Sequence, residues 1–511
     1  MSQSPCSFRS GNPSTVLPVE LWDQVLLYLP KSSQKECMFV CRSWRRACRR
    51  ALFTVIRLSV GTDCEGDRME PDEVQEVVKA WEILDCIGSD PAFARGVKTI
   101  AVMSWRYSMS TFETCVMQKA LRALPHLRSF QWFSWMDIPQ GIQDTLESDI
   151  PNLPELRIFE YVSCPASHAV AHRLESPQVL HTLDLRQLRS LSCLVPRDMI
   201  DLEEPARDTC CTLDLVTANL NTLQELALDG ILSLPWNLPV RTFENLKDLT
   251  LVALRDLHGL ELVLRHSSNL ESFIVENTRD DQLFSILAQN ASSIPLLSSL
   301  KIISSGDWFH EESHYLALSM FLQDRQRMRR LDIHMIAPIQ VVMIILPILL
   351  SFKRLSALGL SLTSSAFPGM PVDYTSLPQF LSDSLEAVRF RIFLEEAVLD
   401  RGPFLPVMER LATLPSLCYL SLQKDGPGEL WPLAAEVGSS LKHLNCLNLD
   451  QSLWFIVRSS PPEELASTWL PHKHILRLRE DFAYQDAEWL ARLGVSIQKL
   501  SALMDGNQIV A

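Results

Sequence analysis

An open α/β solenoid preceded by a small all-α module is the fold class that this 511-residue chain predicts. Three observations carry the prediction. The pattern LxxLxL returns at near-constant spacing along most of the chain, a helix-sized interval apart. Two amphipathic helical patterns stand ahead of it. Hydrophobic residues make up 47% of the sequence, enough to bury a large continuous core.

Residues 1–13 read as a disordered tail, and residues 14–58 as the helical module. In "LPVELWDQVLLYLP" Pro18 suits a first helical turn, Leu21, Val25 and Leu29 recur every four residues, and Pro30 marks the end. A second helix is expected to open at "SQKE", Ser33–Glu36, a capping-box pattern, and to run on through "VCRSWRRACRR". There Val40, Cys41, Trp44, Ala47 and Cys48 form one apolar stripe, while Arg42, Arg45, Arg46 and Arg49 fall on the opposite, solvated face. Residues 14–57 hold eight Lys or Arg against three acids, which leaves the rest of a chain with net charge −14 at about −20 once Arg9 is counted. Such a surface repels phosphate backbones, so no nucleic-acid partner is expected.

The paired Leu17 and Pro18, the Glu20 and Leu21 after them, and the set Val40, Cys41 and Trp44 resemble an F-box in order and spacing, from about Pro13 to Leu58. Gln34 and Lys35 stand where that motif usually has leucine. The resemblance implies a three-helix module that docks on the adaptor subunit of Skp-cullin-F-box ubiquitin ligases. It places the adaptor contacts on Leu17, Pro18, Leu21, Val25, Leu29, Val40, Cys41 and Trp44.

Residues 59–92 form an acidic linker with a possible helix. The stretch from Asp63 has calcium-loop composition, but Arg68 replaces the turn glycine and Val74 the bidentate glutamate, so it is no EF-hand.

From 93 to 482 the repeat takes over, as in "LKDLTL", "LSALGL", "LCYLSL" and "LNCLNL". Its second apolar positions are expected at Ile100, Phe130, Phe159, Leu183, Leu226, Leu249, Phe273, Leu300, Leu331, Leu358, Val388, Leu420, Leu447 and Leu476. These spacings suit a leucine-rich repeat, one strand and one helix per turn, with parallel strands on a concave face and helices outside. The asparagine ladder is mostly absent, so the solenoid is irregular. One long gap, Leu183 to Leu226, points to an acidic insertion around "RDMIDLEEPARD". Across thirteen steps of about 4.8 Å the inner surface would run about 62 Å, a dimension suited to a protein ligand. The uncharged run Met335–Phe352 falls between two strands and is bracketed by Pro338 and Pro347. It reads as a buried helix within one turn rather than a membrane span, and no membrane association is expected. Residues 483–511 hold a helical pattern, Trp489, Leu490, Leu493, Ile497 and Leu500, expected to cap the last turn.

The thirteen cysteines include no CxxC pair, and the first sixteen residues contain no apolar run. Together these predict reduced thiols and a cytoplasmic or nuclear location. "HEESH", His310 to His314 with Glu311, matches a zinc-hydrolase pattern but has no third ligand at the required spacing and sits where a helix should begin. Cys164, His168 and His172 stand at i, i+4 and i+8, with Pro165 interrupting and no fourth ligand nearby. No cofactor and no metal is expected, and the chain is not expected to be an enzyme.

The function expected is that of a substrate-recognition subunit of a ubiquitin ligase, holding the adaptor with its N-terminal helices and a protein substrate on the concave face. The alternatives are a leucine-rich scaffold without a ligase role, and a zinc hydrolase using His310, Glu311 and His314. Strand alternation turns Arg389 and Arg391 outward, beside inward Val388 and Phe390, and does the same for Arg477 and Arg479. These four are the candidate substrate contacts, suited to an acidic or phosphorylated segment.

Overall fold

In the structure, a computed structural model, the described residues are 25–26, 31–60, 71–104, 109–134, 138–160, 185–194, 215–229, 239–252, 257, 259–276, 282–304, 311–335, 337, 339–363, 374–393, 404–424, 437, 440–449, 452–457, 468–471, 486–487 and 489–490. The chain divides into two compact units, one of residues 1–132 and 138–150, the other of residues 133–137 and 151–511.

The first unit opens with helices α1 (Lys31–Cys37) and α2 (Arg42–Leu52). Leu26, Ala47 and Cys48 form their small core, with Cys37, Met38 and Ala51 packed on it. The single helix expected from Ser33 is two helices, and it starts before the supposed cap. At Cys41 the backbone is extended, and the Sγ atom accepts the Trp44 N–H at 3.5 Å, ending one helix and capping the next. Gln34, at a position where leucine is usual, is buried and donates from Nε2 to the Leu26 carbonyl at 2.7 Å. A polar side chain thus sits there without an orphaned donor.

The sheet begins earlier than the expected 93. Strand β1 (Val55–Ser59) lies within the stretch assigned to the helical module, and pairs in parallel with β2 (Thr99–Ser104), Ile56 opposite Ile100. Between them the supposed linker carries a 19-residue helix, Pro71–Ser89. Strand β3 (Ser129–Ser134) follows the helix Thr111–Arg122, which starts with a true capping box between Ser110 and Glu113.

The second unit contains β4 (Glu155–Glu160), β5 (Ser190–Leu194), β6 (Glu225–Asp229), β7 (Asp248–Val252), β8 (Ser272–Glu276), β9 (Ser299–Ile303), β10 (Arg330–His334), β11 (Ala357–Thr363), β12 (Ala387–Phe393), β13 (Tyr419–Lys424), β14 (Cys446–Leu449), β15 (Ser452–Val457) and β16 (Thr468–Pro471). They lie side by side in chain order. From β4 to β14 every pair is parallel. Leu226, Leu249, Phe273, Leu300, Leu331, Leu358, Val388, Leu420 and Leu447 stand in one row, as the repeat predicts. All are buried. The fold is the expected irregular leucine-rich-repeat solenoid.

Two expected registers are corrected. The row passes through Leu156 and Leu191, not Phe159 and Leu183. In "LPELRI" and "LRSLSC" the first leucines, Leu153 and Leu188, are fully buried, so these are the copies that pack. The 43-residue gap before Leu226 becomes two of 35 residues, Leu156 to Leu191 and Leu191 to Leu226, and the "RDMIDLEEPARD" segment lies outside the described residues. Asn219 secures this turn. It accepts the Leu188 N–H at 2.7 Å and donates to the Leu185 and Leu215 carbonyls, each at 2.8 Å.

The apolar run after β10 is mostly buried, though Leu350 is exposed, and forms two short helices, Ile339–Val342 and Leu346–Leu349, instead of one. Pro347 has no N–H to donate back into a preceding turn, so it opens a new helix. Among the described residues no helix is long and apolar enough to cross a membrane. At the other end the parallel pattern stops at Leu449. Only two residues separate β14 from β15, too few for a crossover, and β14, β15 and β16 pair antiparallel. The strand expected at Leu476 lies outside the described residues.

The C-terminal segment does not simply close the last turn. Ala487, Trp489 and Leu490 pack in one cluster with Ala357, Ala387, Tyr419 and Cys446, which belong to β11, β12, β13 and β14. These are the outward residues that precede each buried Leu or Val, so the segment lies on the face of the sheet turned away from the buried leucine row.

Candidate functional site

Two surfaces answer to the sequence expectations, one in each unit.

In the first, apolar side chains face outward ahead of α1 and in the turn between α1 and α2. Val25, Phe39 and Val40 are 43%, 82% and 65% exposed. Cys41 and Trp44 are half-buried, and Arg42, Arg45, Arg46 and Arg49 are exposed. Arg45 donates from Nε to the Met38 carbonyl at 3.2 Å, so it helps hold the turn. Phe39 was not among the expected contacts; its signal was its place, one residue before Val40 in the turn ahead of Cys41. Leu17, Pro18, Leu21 and Leu29 lie outside the described residues.

In the second unit, the central position of four successive strands carries Lys301, Asp332, Gly359 and Arg389. Asp332 on β10 and Arg389 on β12 are two strands apart. They meet because Gly359, between them on β11, has no side chain; a Cβ atom there would overlap the Asp332 carboxylate. Arg389 Nη2 donates to both Asp332 oxygens at 2.7 Å. Lys301 Nζ approaches the same carboxylate from β9 at 3.2 Å. The three side chains are 0%, 0% and 4% exposed. Two cations share one carboxylate in a dry place, and buried Glu276 of β8 adds a weaker attraction to Lys301. Burial drives the Lys301 pKa down to about 8, Asp332 pulls it back up, and Arg389 lowers it further.

Both cations also turn to the C-terminal segment. Lys301 Nζ donates to the carbonyls of Trp489 and Leu490 at 2.5 and 3.2 Å, and Arg389 Nη1 to that of Leu490 at 3.1 Å. Lys301 Nζ also stands 4.6 Å from the centroid of the Trp489 ring. Arg330 Nε holds Asp486 at 2.6 Å.

Arg389 therefore faces out of the leucine row as alternation requires, but it is not an open surface residue. The expectation of a solvent-facing arginine pair is corrected: Arg389 is covered, and its acidic partner is internal. Arg391 is half-buried, its Nη1 2.5 Å from His334 Nε2. Arg477 and Arg479 lie outside the described residues. Sequence reasoning missed Lys301, Asp332 and Gly359, although the residue between the two apolar positions of successive copies reads Lys, Asp, Gly, Arg.

Glu311 is the N-cap of the helix Glu312–Leu322, and the His314 ring stacks on Phe284 at 4.7 Å. This is the helix start that the repeat register expects there. His310, Cys164, His168 and His172 lie outside the described residues. Among the described residues no group of three His, Cys, Asp or Glu side chains is placed to hold a metal.

Residues 15–55 match the F-box domain. No curated protein matches the chain. Among solved structures the chain is similar to a Bacteroides fragilis protein, at 15% identity and a TM-score of 0.27 over 46% of this chain and 66% of that one. It is also similar to TLR13 in its complex with ssRNA13, at 14% identity and a TM-score of 0.35 over 79% of this chain and 60% of that one. The chain spans less than two thirds of either structure. What it carries is thus an F-box domain followed by an irregular leucine-rich-repeat solenoid.

Proposed function

We propose that this chain is a non-catalytic substrate receptor of a Skp-cullin-F-box ubiquitin ligase, acting in the cytoplasm or nucleus. The F-box helices hold the adaptor, and the sheet face of the solenoid holds the protein to be ubiquitinated. The single observation that carries the reading is the F-box at residues 15–55, where Val25, Phe39 and Val40 stand exposed. Apolar side chains so exposed on a small helical module are what a docked partner would cover.

The mechanism is proximity. A substrate fixed near a ubiquitin-carrying enzyme held elsewhere in the complex reacts at a raised effective concentration, with no catalytic group from this chain. The test is copurification of the Skp-type adaptor with wild type and with the Leu17→Ala/Pro18→Ala double variant. Truncating a buried leucine costs about 2–5 kcal/mol, enough to weaken binding more than tenfold. Unchanged adaptor recovery from a folded double variant removes the ligase reading and leaves an interaction scaffold.

A further inference from the structure

The sheet face offered above to a substrate is already occupied by the chain itself. Asp486, Ala487, Trp489 and Leu490 are helical, and Asp486, Trp489 and Leu490 stand at i, i+3 and i+4, which puts them on one side of that helix. Each is read by a different chemistry. The acid meets Arg330 at 2.6 Å. The indole lies beside two cations, Lys301 Nζ 4.6 Å and Arg330 Cζ 5.9 Å from its ring centroid. The aliphatic side chain lies in one buried cluster with Ala357, Ala387, Tyr419 and Cys446. Lys301 and Arg389 fasten the backbone through its carbonyl oxygens, a contact that any helical segment can make.

The fit is incomplete. The Trp489 indole N–H is buried without an acceptor, and the second Asp486 oxygen is buried without a hydrogen-bond partner. Among the described residues, Arg329 stands 3.9 Å from it. Buried polar atoms are normally paired, so each one left unpaired here weakens the sheet's hold on the segment.

We propose that Asp486–Leu490 is an internal stand-in for the substrate, and that the seat recognises a helical protein segment with an acidic residue at i, an aromatic residue at i+3 and an aliphatic residue at i+4. A substrate that also offers acceptors to the buried donors displaces the chain's own segment. The proposal rests on the receptor reading above and names the substrate class of that site.

The test uses full-length protein and a fluorescein-labelled synthetic peptide of residues 481–495, followed by anisotropy. Wild type should bind it at least tenfold more weakly than the full-length variant Asp486→Ala/Trp489→Ala/Leu490→Ala, whose own segment no longer competes. Within the peptide, changing either the acid or the tryptophan to alanine should each lose tenfold, and Arg330→Gln in the receptor should remove the preference for the acid. Proteins crosslinked to the vacated variant should be competed by the peptide. Equal binding by wild type and the triple variant, or none by a triple variant that melts as a folded protein, overturns the proposal. If the triple variant does not fold, Asp486→Ala, which keeps the apolar contacts, takes its place: it should bind at least threefold tighter than wild type, and no gain overturns the proposal. Adaptor recovery is measured on the same preparations; its loss overturns the ligase reading while leaving the peptide result standing.

Discussion

Replacing Asp332 by asparagine keeps the shape of the β9–β12 clamp and removes the carboxylate its two cations share. Asp332 is fully buried and serves two cations, with Lys301 at 3.2 Å and Arg389 at 2.7 Å. Removing one partner of a buried ion pair costs about 3–5 kcal/mol, most of it the uncompensated charge left behind. The two cations differ in how they respond. Lys301, its pKa already down to about 8, can release its proton once Asp332 is neutral, but a guanidinium cannot. The cost therefore falls at the lower end, about 3 kcal/mol. At 2–4 °C per kcal/mol for domains of 150–250 residues, and somewhat less for a larger unit, the melting temperature should fall by roughly 5–10 °C. Circular dichroism melts at pH 7 and pH 9 provide the assay. The deficit should shrink at the higher pH, because Lys301 is then neutral in either protein. Asp332→Asn/Arg389→Met should recover part of the loss, since it removes the stranded charge. A shift below 2 °C, or strictly additive single and double variants, would refute the idea that one carboxylate holds both cations.

Four further outcomes follow from other contacts. Gly359→Ala should cost about 1–3 kcal/mol by overpacking and, by pushing Asp332 off Arg389, should speed proteolysis of the C-terminal segment; unchanged cleavage would contradict the bridging role of the gap. Arg325→Lys should cost about 2–4 kcal/mol in chemical denaturation, because one guanidinium serves the carbonyls of Phe321, Ile294, Ala291 and Ser293. Asn219→Ala should lose about 1–3 kcal/mol and raise hydrogen exchange at Leu188, whose N–H it caps. Lys301 gives a pH signature: its folded pKa, about 8, lies below the unfolded value near 10.4, so the unfolded state holds more protons between them and stability rises with pH across that window. The effect, on the order of 3 kcal/mol in full, should be read as the difference between wild type and Lys301→Met, because the Cys418 thiol, raised by burial to about 12, drifts the other way.

Most of the second unit was legible because its periodicity is written in leucines that each strand must bury. The misplaced registers came from stretches where two copies overlap. In "LDLRQLRSLSC" the spacing alone admits Leu183 or Leu191, and only packing decides. Strand β1 escaped because its copy begins with phenylalanine, Phe53, followed by Ile56 and Leu58 at the same offsets. The break at Cys41 was hidden because a cysteine is a weak cap in sequence and the apolar stripe runs straight through it. The charge cluster was half visible. Alternation correctly turned Arg389 away from the leucine row, but solvent exposure depended on a segment about a hundred residues away in the chain, and no local pattern reports that.

A solenoid normally tolerates loss or gain of a whole repeat, since each turn touches only its neighbours. The side-chain gap at Gly359 suspends that freedom over one stretch. Because the carboxylate of β10 crosses it to reach the guanidinium of β12, removing the β11 turn would shorten the bridge, and inserting a turn would place it out of reach. The three turns must be inherited together. Length variation among relatives of this chain should therefore accumulate on either side of them, and a truncated protein meant to keep the clamp should be cut outside Ser299 to Phe393.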